Sequence, residues 1–276
     1  MQVGKCIGIV LLWIAGLVFV FAGINTNDPY LVPLRGPGNL LLAVASIAVA
    51  YILIRRVAWR RRSWAGRLLV VLWSLPPLAM LAAHGVLDVR KHRVLQADPV
   101  LTRSLGRHFI VGYRSFDEVV PLVERGFIAG IYVTRRNVAG RAAEPLKAEI
   151  AALQARRHAA GLPPLMVATD QEGGIVSHLA PPLTRLPALA SLAELAPDER
   201  KAKAEEFGRI HGRELASLGI NLNFAPVLDL RPEAKRNQLD FNTLTNQRAI
   251  SDDPAKVSAV AGAYIHGLES AGVSAT

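Results

Sequence analysis

The sequence predicts an α/β domain of β/α units around a parallel sheet, preceded by about three transmembrane helices. Three observations carry this. The first third holds three uncharged apolar runs of membrane-spanning length. That third also holds nearly all the excess charge: residues 1–93 carry 11 Lys and Arg against 2 Asp and Glu, whereas residues 94–276 carry 21 against 20. Beyond it, short apolar runs alternate with amphipathic helical stretches, the pattern of strands and helices laid around a parallel sheet.

The 276 residues are 51% hydrophobic with a mean hydropathy of +0.27, too apolar for a disordered chain and unusual for one soluble domain. Of the net charge of +10, +9 sits beside the apolar runs. A nucleic-acid partner is therefore not expected, because that reading needs basic charge spread over a soluble face. Cys6 is the sole cysteine, which excludes an internal disulfide framework and a Cys-rich metal site.

Residues 1–93 form the expected membrane region, with spans at 7–24, 36–54 and 68–87. The first run also fits a signal peptide, since Lys5 precedes it. No small-x-small cleavage site follows it and two more runs come after, so an anchor is expected. Pro76, Pro77 and His84 interrupt the third run, and prolines are tolerated in a span where neighbours satisfy the freed carbonyl. The loop between the second and third runs carries Arg55, Arg56, Arg60, Arg61, Arg62 and Arg67, against Arg90, Lys91 and Arg93 after the third. Positive loops stay cytoplasmic. The expectation is a multi-pass protein of the cytoplasmic membrane with residues 94–276 outside the cytoplasm.

In residues 94–276, His108 to Gly112 reads as a strand, and Ser115 with Glu118 as a capping box opening a helix that stops at Gly126. Phe127 to Val133 is the next strand. A helix from about Glu144 to Ala160, stopped by Gly161, leads to the strand Leu165 to Thr169. A helix over about Asp198 to Leu218, stopped by Gly219, leads to the strand Ile220 to Val227. The last helix runs from about Pro254 to Ala271 and ends at Gly272, and Val273 begins a fifth strand. Ending inside a buried strand leaves an open edge, so a truncated sequence is expected. Leu228 to Ser251 is the longest connection. Long loops at strand C-terminal ends are where barrel enzymes place their sites.

The densest chemical candidate is Asp170-Gln171-Glu172-Gly173-Gly174, directly after the apolar strand. It puts two carboxylates at a strand's C-terminal end, with glycines that allow a sharp turn and close approach of a ligand. An acidic turn capping the next segment accounts for the same residues equally well. No histidine spacing sets two rings and a carboxylate on one helix face, and His211 with Glu214 reads as an exposed i,i+3 pair. No phosphate-cradling loop or dinucleotide fingerprint is present. No cofactor and no metal are expected.

The stretch from Pro164 through Gly174, followed by Leu183-Thr184-Arg185-Leu186-Pro187, resembles the third-strand region of glycoside hydrolase family 3, in its β-N-acetylhexosaminidase branch. Three further stretches agree in order and spacing. Gly126 to Val133 with Arg136-Asn137 is similar to the family's second strand. Glu214 through Asp229 is similar to its fourth, and Gln247-Arg248, Asp253-Pro254 and Gly267-Leu268 to the approach to its fifth. The likeness covers about residues 105–276.

The resemblance implies a TIM-type (β/α)8 barrel, here partial, because 183 residues fall below the roughly 250 of a complete one. It also implies cleavage of a terminal β-linked N-acetylhexosamine, or related β-sugar, with retention through a covalent intermediate. Asp170 would hydrogen-bond sugar hydroxyls and Arg248 would be a second sugar contact. Where the family continues the double glycine with an arginine, a spacing and a second, sugar-contacting arginine, this chain has Ile175 and His178. His178 would replace that arginine as a donor, or signal an altered substrate or lost activity. Glu172 is not the family's catalytic group, and Asn223 and Asp229 would brace loops. The family's histidine acid/base loop and aspartate nucleophile have no counterpart here. No catalytic residue is therefore expected in this chain, which alone should be inactive, with turnover belonging to a longer parent. A glycan, cell-wall derived in one reading, and the membrane are the expected partners. The alternatives are an inactive membrane-tethered barrel that binds glycan, and a membrane scaffold without a ligand.

Overall fold

A computed structural model describes residues 2–26, 28, 31, 36–55, 64–138, 142–231 and 244–276. They fall into two compact units, Met1–Gln96 and Ala97–Thr276.

The first unit holds three helices: α1 (Gln2–Ile24), α2 (Pro37–Leu53) and α3 (Trp64–Gln96). By length and composition α1, over Ile7–Ile24, and α3 are long and apolar enough to cross a membrane. Helix α2 has 17 residues, about 25 Å at 1.5 Å per residue, short of a hydrocarbon core of about 30 Å. Helix α3 runs through Pro76 and Pro77 and past the expected end at Leu87. No glycine or proline interrupts Asp88 to Gln96, and Pro99 disfavours helix at the residue before it. Leu69, Leu72 and Trp73 pack against Ala50 and Leu53 and against Leu12 and Phe19 of α1. The Trp73 indole N–H donates to the Leu12 carbonyl at 3.2 Å. Gly16 admits this contact, since a β-carbon there would meet Leu72 Cδ2 at 2.6 Å. Ile9, Leu17, Phe21, Leu41 and Leu81 leave the outer surface apolar. Of the loop arginines, Arg56, Arg60, Arg61 and Arg62 lie outside the described residues.

The second unit is α/β. Its elements are α4 (Pro99–Gly106), β1 (Ile110–Gly112), α5 (Phe116–Arg125), β2 (Gly130–Val133), α6 (Arg135–Val138), α7 (Ala143–Ala159), β3 (Met166–Thr169), β4 (Gln171–Gly173), β5 (Val176–Ser177), α8 (Pro197–Ser217), β6 (Leu222–Asn223), α9 (Thr245–Arg248), α10 (Pro254–Glu269) and β7 (Ser274–Ala275). Five strands form one parallel sheet in the order β1-β2-β3-β6-β7. A sheet whose neighbours follow the chain, each joined through a helix, is the arrangement of β/α units expected from the sequence.

Glycine stops the helices as expected: Gly126, Gly161, Gly219 and Gly272 take φ of 71°, 68°, 84° and 78°. Several details differ. Helix α4, opened by Asp98 accepting the Val100 N–H at 2.7 Å, was not foreseen. The capping box is displaced: Ser115 stands at the N-cap of α5 without a side-chain bond, while Glu118 reaches past it to the Arg114 N–H at 3.2 Å. The expected strand Ile220 to Val227 contracts to Leu222–Asn223, since Pro226 has no N–H to donate to a ladder. Within the long connection only α9 is helical among the described residues, and residues 232–243 lie outside them.

The core lies on the helix side of the sheet. Ile131, Val133 and Val167 point into it with Val123, Leu146, Ile150, Leu215 and Tyr264. By strand alternation Tyr132, Met166 and Ala168 face the other way. Helices α8 and α10 touch backbone to backbone, because β-carbons at Gly208 and Gly267 would collide with the carbonyls of Tyr264 and Glu205.

Candidate functional site

Strand β3 ends at Thr169, whose hydroxyl donates to the Val133 carbonyl at 2.9 Å, and Asp170 follows at once. The chain then turns back on itself in the antiparallel pair β4–β5. Gly173 and Gly174 carry that turn with φ of 94° and 61°, and a β-carbon on Gly173 would meet the Pro187 carbonyl at 2.5 Å. Side chains therefore cannot replace hydrogen here without strain. The turn returns His178 beside Asp170, where its backbone N–H donates to the Asp170 carbonyl at 3.2 Å.

Tyr132 of β2 closes the group. Its hydroxyl donates to Asp170 Oδ2 at 2.5 Å and lies 3.3 Å from His178 Nδ1, which is itself 4.0 Å from the same carboxylate oxygen. The Tyr132 ring also packs on Phe224 and, edge-on, on His178. Burial, then the hydrogen bond to Asp170, pushes the Tyr132 phenol far above its ordinary range. Burial lowers the His178 imidazole, Asp170 opposes it, and Arg135 and Arg248 lower it further.

One residue beyond Gln171, Glu172 is nearly buried and holds Arg248 of α9 through two hydrogen bonds, Nε to Oε2 at 3.0 Å and Nη2 to Oε1 at 2.5 Å. Burial raises the Glu172 carboxyl while Arg248 draws it back, and Glu172 raises the Arg248 guanidinium. The pair borders a small crevice lined also by Gly173, Ile175, Val227 and Ile250.

Beneath the site lies a buried polar layer. Asn223 Oδ1 accepts the Gln171 N–H at 2.9 Å and its amide donates to the Gln171 carbonyl at 3.0 Å. The Tyr264 hydroxyl lies 3.1 Å from Asn223 Nδ2, 3.2 Å from the Gln171 carbonyl and 2.8 Å from His211 Nδ1. His211 is 1% exposed, and burial lowers its pKa from 6.5 to about 4. The expected exposed pair of His211 and Glu214 is thus overturned. His211 faces the α8–α10 seam, and Glu214 binds the Thr184 N–H and hydroxyl instead.

Of the three residues the sequence singled out, Asp170 and His178 come together, and Arg248 joins through Glu172. Asn223 braces the loop as expected, whereas Asp229 is exposed and its charge raises the Arg248 guanidinium. Sequence reasoning missed Tyr132. Its signal was a hydroxyl-bearing side chain inside the aliphatic strand Ile131-Tyr132-Val133. No group of three or more His, Cys, Asp or Glu placed to hold a metal occurs among the described residues.

The chain is similar to known proteins. Beta-hexosaminidase of Actinobacillus succinogenes is 34% identical over 161 residues, 58% of this chain and 42% of that protein. Beta-hexosaminidase of Pseudomonas aeruginosa is 34% identical over 149 residues, 54% of this chain and 40% of that one. The chain thus spans about two fifths of the length of the curated relatives it matches. Among solved structures, NagZ from Neisseria gonorrhoeae in complex with N-trifluoroacetyl-D-glucosamine superposes with a TM-score of 0.52 at 29% identity, covering 60% of this chain and 47% of that one. A glycoside hydrolase family 3 β-N-acetylglucosaminidase from Paenibacillus gives 0.54 at 28%, covering 63% and 32%. The glycosyl hydrolase family 3 N-terminal domain matches residues 106–276, which take in the sheet, the Asp170 turn and Arg248. By that match over more than half its length, the chain belongs to glycosyl hydrolase family 3.

Proposed function

We propose that the protein takes part in hydrolysis of terminal β-linked N-acetylhexosamine from glycans, as a membrane-anchored retaining glycosidase whose sugar-binding side is formed by residues 106–276. The observation that carries this is the Asp170 carboxylate at the C-terminal end of the sheet, with His178 against it and the Glu172–Arg248 pair alongside. A carboxylate acceptor with a fixed guanidinium alongside at one strand end suits the hydroxyls of a sugar. Relatives named beta-hexosaminidase and the N-trifluoroacetyl-D-glucosamine in the NagZ structure support an N-acetylated amino sugar as the ligand.

A retaining reaction needs a nucleophile and an acid/base at the anomeric carbon. Arg248 holds Glu172 on both oxygens, which leaves that carboxylate positioning the guanidinium. In this reading residues 1–276 supply sugar binding. The apolar α1 and α3 and the arginine-rich loop support a membrane anchor with the sugar-binding unit outside the cytoplasm. A glycan of cell-wall origin fits that placement. Ile175 and His178, which depart from the family pattern, favour as a second reading a barrel that binds glycan without cleaving it.

Calorimetric titration of the 276-residue chain in detergent with N-acetylglucosamine tests the reading. Saturable binding is expected, together with background hydrolysis of a chromogenic N-acetyl-β-glucosaminide. Turnover well above background would overturn the division of roles, and absence of binding would overturn the sugar site.

A further inference from the structure

Tyr132 has one hydroxyl proton, and the 2.5 Å contact gives it to Asp170 Oδ2. Its oxygen can then only accept from His178 Nδ1, 3.3 Å away. The other group facing Nδ1 is Asp170 Oδ2 at 4.0 Å, also an acceptor. Both neighbours of Nδ1 thus call for a proton on that nitrogen. The charged groups around the ring are Asp170, which favours a second proton, and Arg135 and Arg248, which oppose it. Burial opposes it as well and outweighs Asp170, so the ring is neutral near pH 7 and carries its single proton on Nδ1. Nε2 is then a bare lone pair, and it has no partner among the described residues.

We propose that Tyr132 is a positioning residue that fixes the Nδ1–H form of His178, so that Nε2 stands in the site as an acceptor for a ligand hydroxyl. This reverses one of the roles the sequence left open, in which His178 stands in for an arginine as a donor. Asp170 and His178 together then present two acceptors, which select a ligand carrying two adjacent donors, a pair of neighbouring sugar hydroxyls. Only the ligand in this statement rests on the proposed function; the tautomer does not.

Nitrogen-15 imidazole spectra of the full chain, histidine-labelled and in detergent micelles at pH 7.5, test it, with His178→Gln assigning the resonance. The expected result is a protonated Nδ1 and a bare Nε2. Tyr132→Phe leaves Nδ1 facing only Asp170 Oδ2 at 4.0 Å, outside hydrogen-bond reach, and should shift the ring toward the Nε2–H form. An Nε2–H ring in the native chain overturns the proposal whether or not the variant folds, and so does a folded Tyr132→Phe with an unchanged tautomer. Added N-acetylglucosamine should move the Nε2 resonance upfield as its lone pair accepts a hydrogen bond. Binding heat without that movement overturns the ligand assignment alone. No binding heat and no movement overturn the ligand assignment and the proposed function together, and the tautomer result still decides the role of Tyr132.

Discussion

Glu172 and Arg248, 76 positions apart in sequence, face each other as a two-bonded ion pair at the mouth of the sheet. The carboxylate is 7% exposed and the guanidinium 27%. Truncating Arg248 leaves a nearly buried carboxylate without its counter-charge. Because the guanidinium is partly open to water, the loss falls below the full buried-pair range, at about 2–3 kcal/mol. An orphaned Glu172 has a folded pKa above its unfolded value, so the stability it costs grows as pH rises. Arg248→Ala should therefore trail the native chain most at pH 8 and least at pH 5, read as paired thermal melts in detergent. A gap independent of pH would show that Glu172 is not the group left behind.

Asp170→Asn keeps size and removes charge. A charge-assisted hydrogen bond to a ligand is worth about 1.5–3 kcal/mol, or about ten- to a hundredfold in affinity for N-acetylglucosamine. The melting temperature should stay near that of the native chain, because Asn can still accept the Tyr132 proton. A fall in melting temperature with unchanged affinity would reduce Asp170 to a turn residue.

His211 gives the fold its own pH dependence. Its folded pKa is about 4, so between there and 6.5 the unfolded chain binds a proton that the native one refuses. Stability is then full above pH 6.5 and falls as pH drops toward 4, by about 3 kcal/mol for a shift of this size. His211→Gln can still bond Tyr264 and should flatten the melting-temperature curve in that window. Parallel curves for the two proteins would refute the assignment.

Asn223→Ala removes both bonds to the Gln171 peptide, leaving a buried N–H and a carbonyl with one partner fewer. At about 1–3 kcal/mol for an unsatisfied buried group, a loss of about 3 kcal/mol in chemical denaturation is expected. Because Gln171 adjoins Asp170, affinity for the sugar should weaken as well. A well-folded variant of native stability would mean that water replaces the amide.

The charge segregation sets the last expectation. A reporter active only outside the cytoplasm, fused after Thr276, should be active, since the loop holding Arg55 and Arg67 is expected to stay inside. A cytoplasm-only reporter working at that junction would reverse the topology.

What could be read from sequence was what local chemistry decides. Gly126, Gly161, Gly219 and Gly272 mark helix ends because few other residues adopt positive φ, and the aliphatic run before Asp170 marks a strand because its side chains suit a buried sheet. Asp170 was legible through its motif, and His178 as a departure from it. What escaped depends on partners far along the chain. Glu172 acquires its role only when Arg248 arrives, and Tyr132 only when the β4–β5 turn returns His178 to it. The i,i+3 rule misread His211 because it describes an open helix face, and α8 buries that face on α10.

Gly208 and Gly267 bring the backbones of α8 and α10 into direct contact, with no layer of side chains between them to repack. A slide of one residue would set a real β-carbon against a carbonyl oxygen, whereas a slide of one turn along α8 would bring Gly212 to the place of Gly208. The observed register is therefore one in which each glycine lies against the partner helix's backbone. That one register carries the Tyr264 hydroxyl to the Gln171 carbonyl. The fit at a seam of glycines, Gly208, Gly212 and Gly267, thus bears on where the residue before Gln171, Asp170, comes to rest.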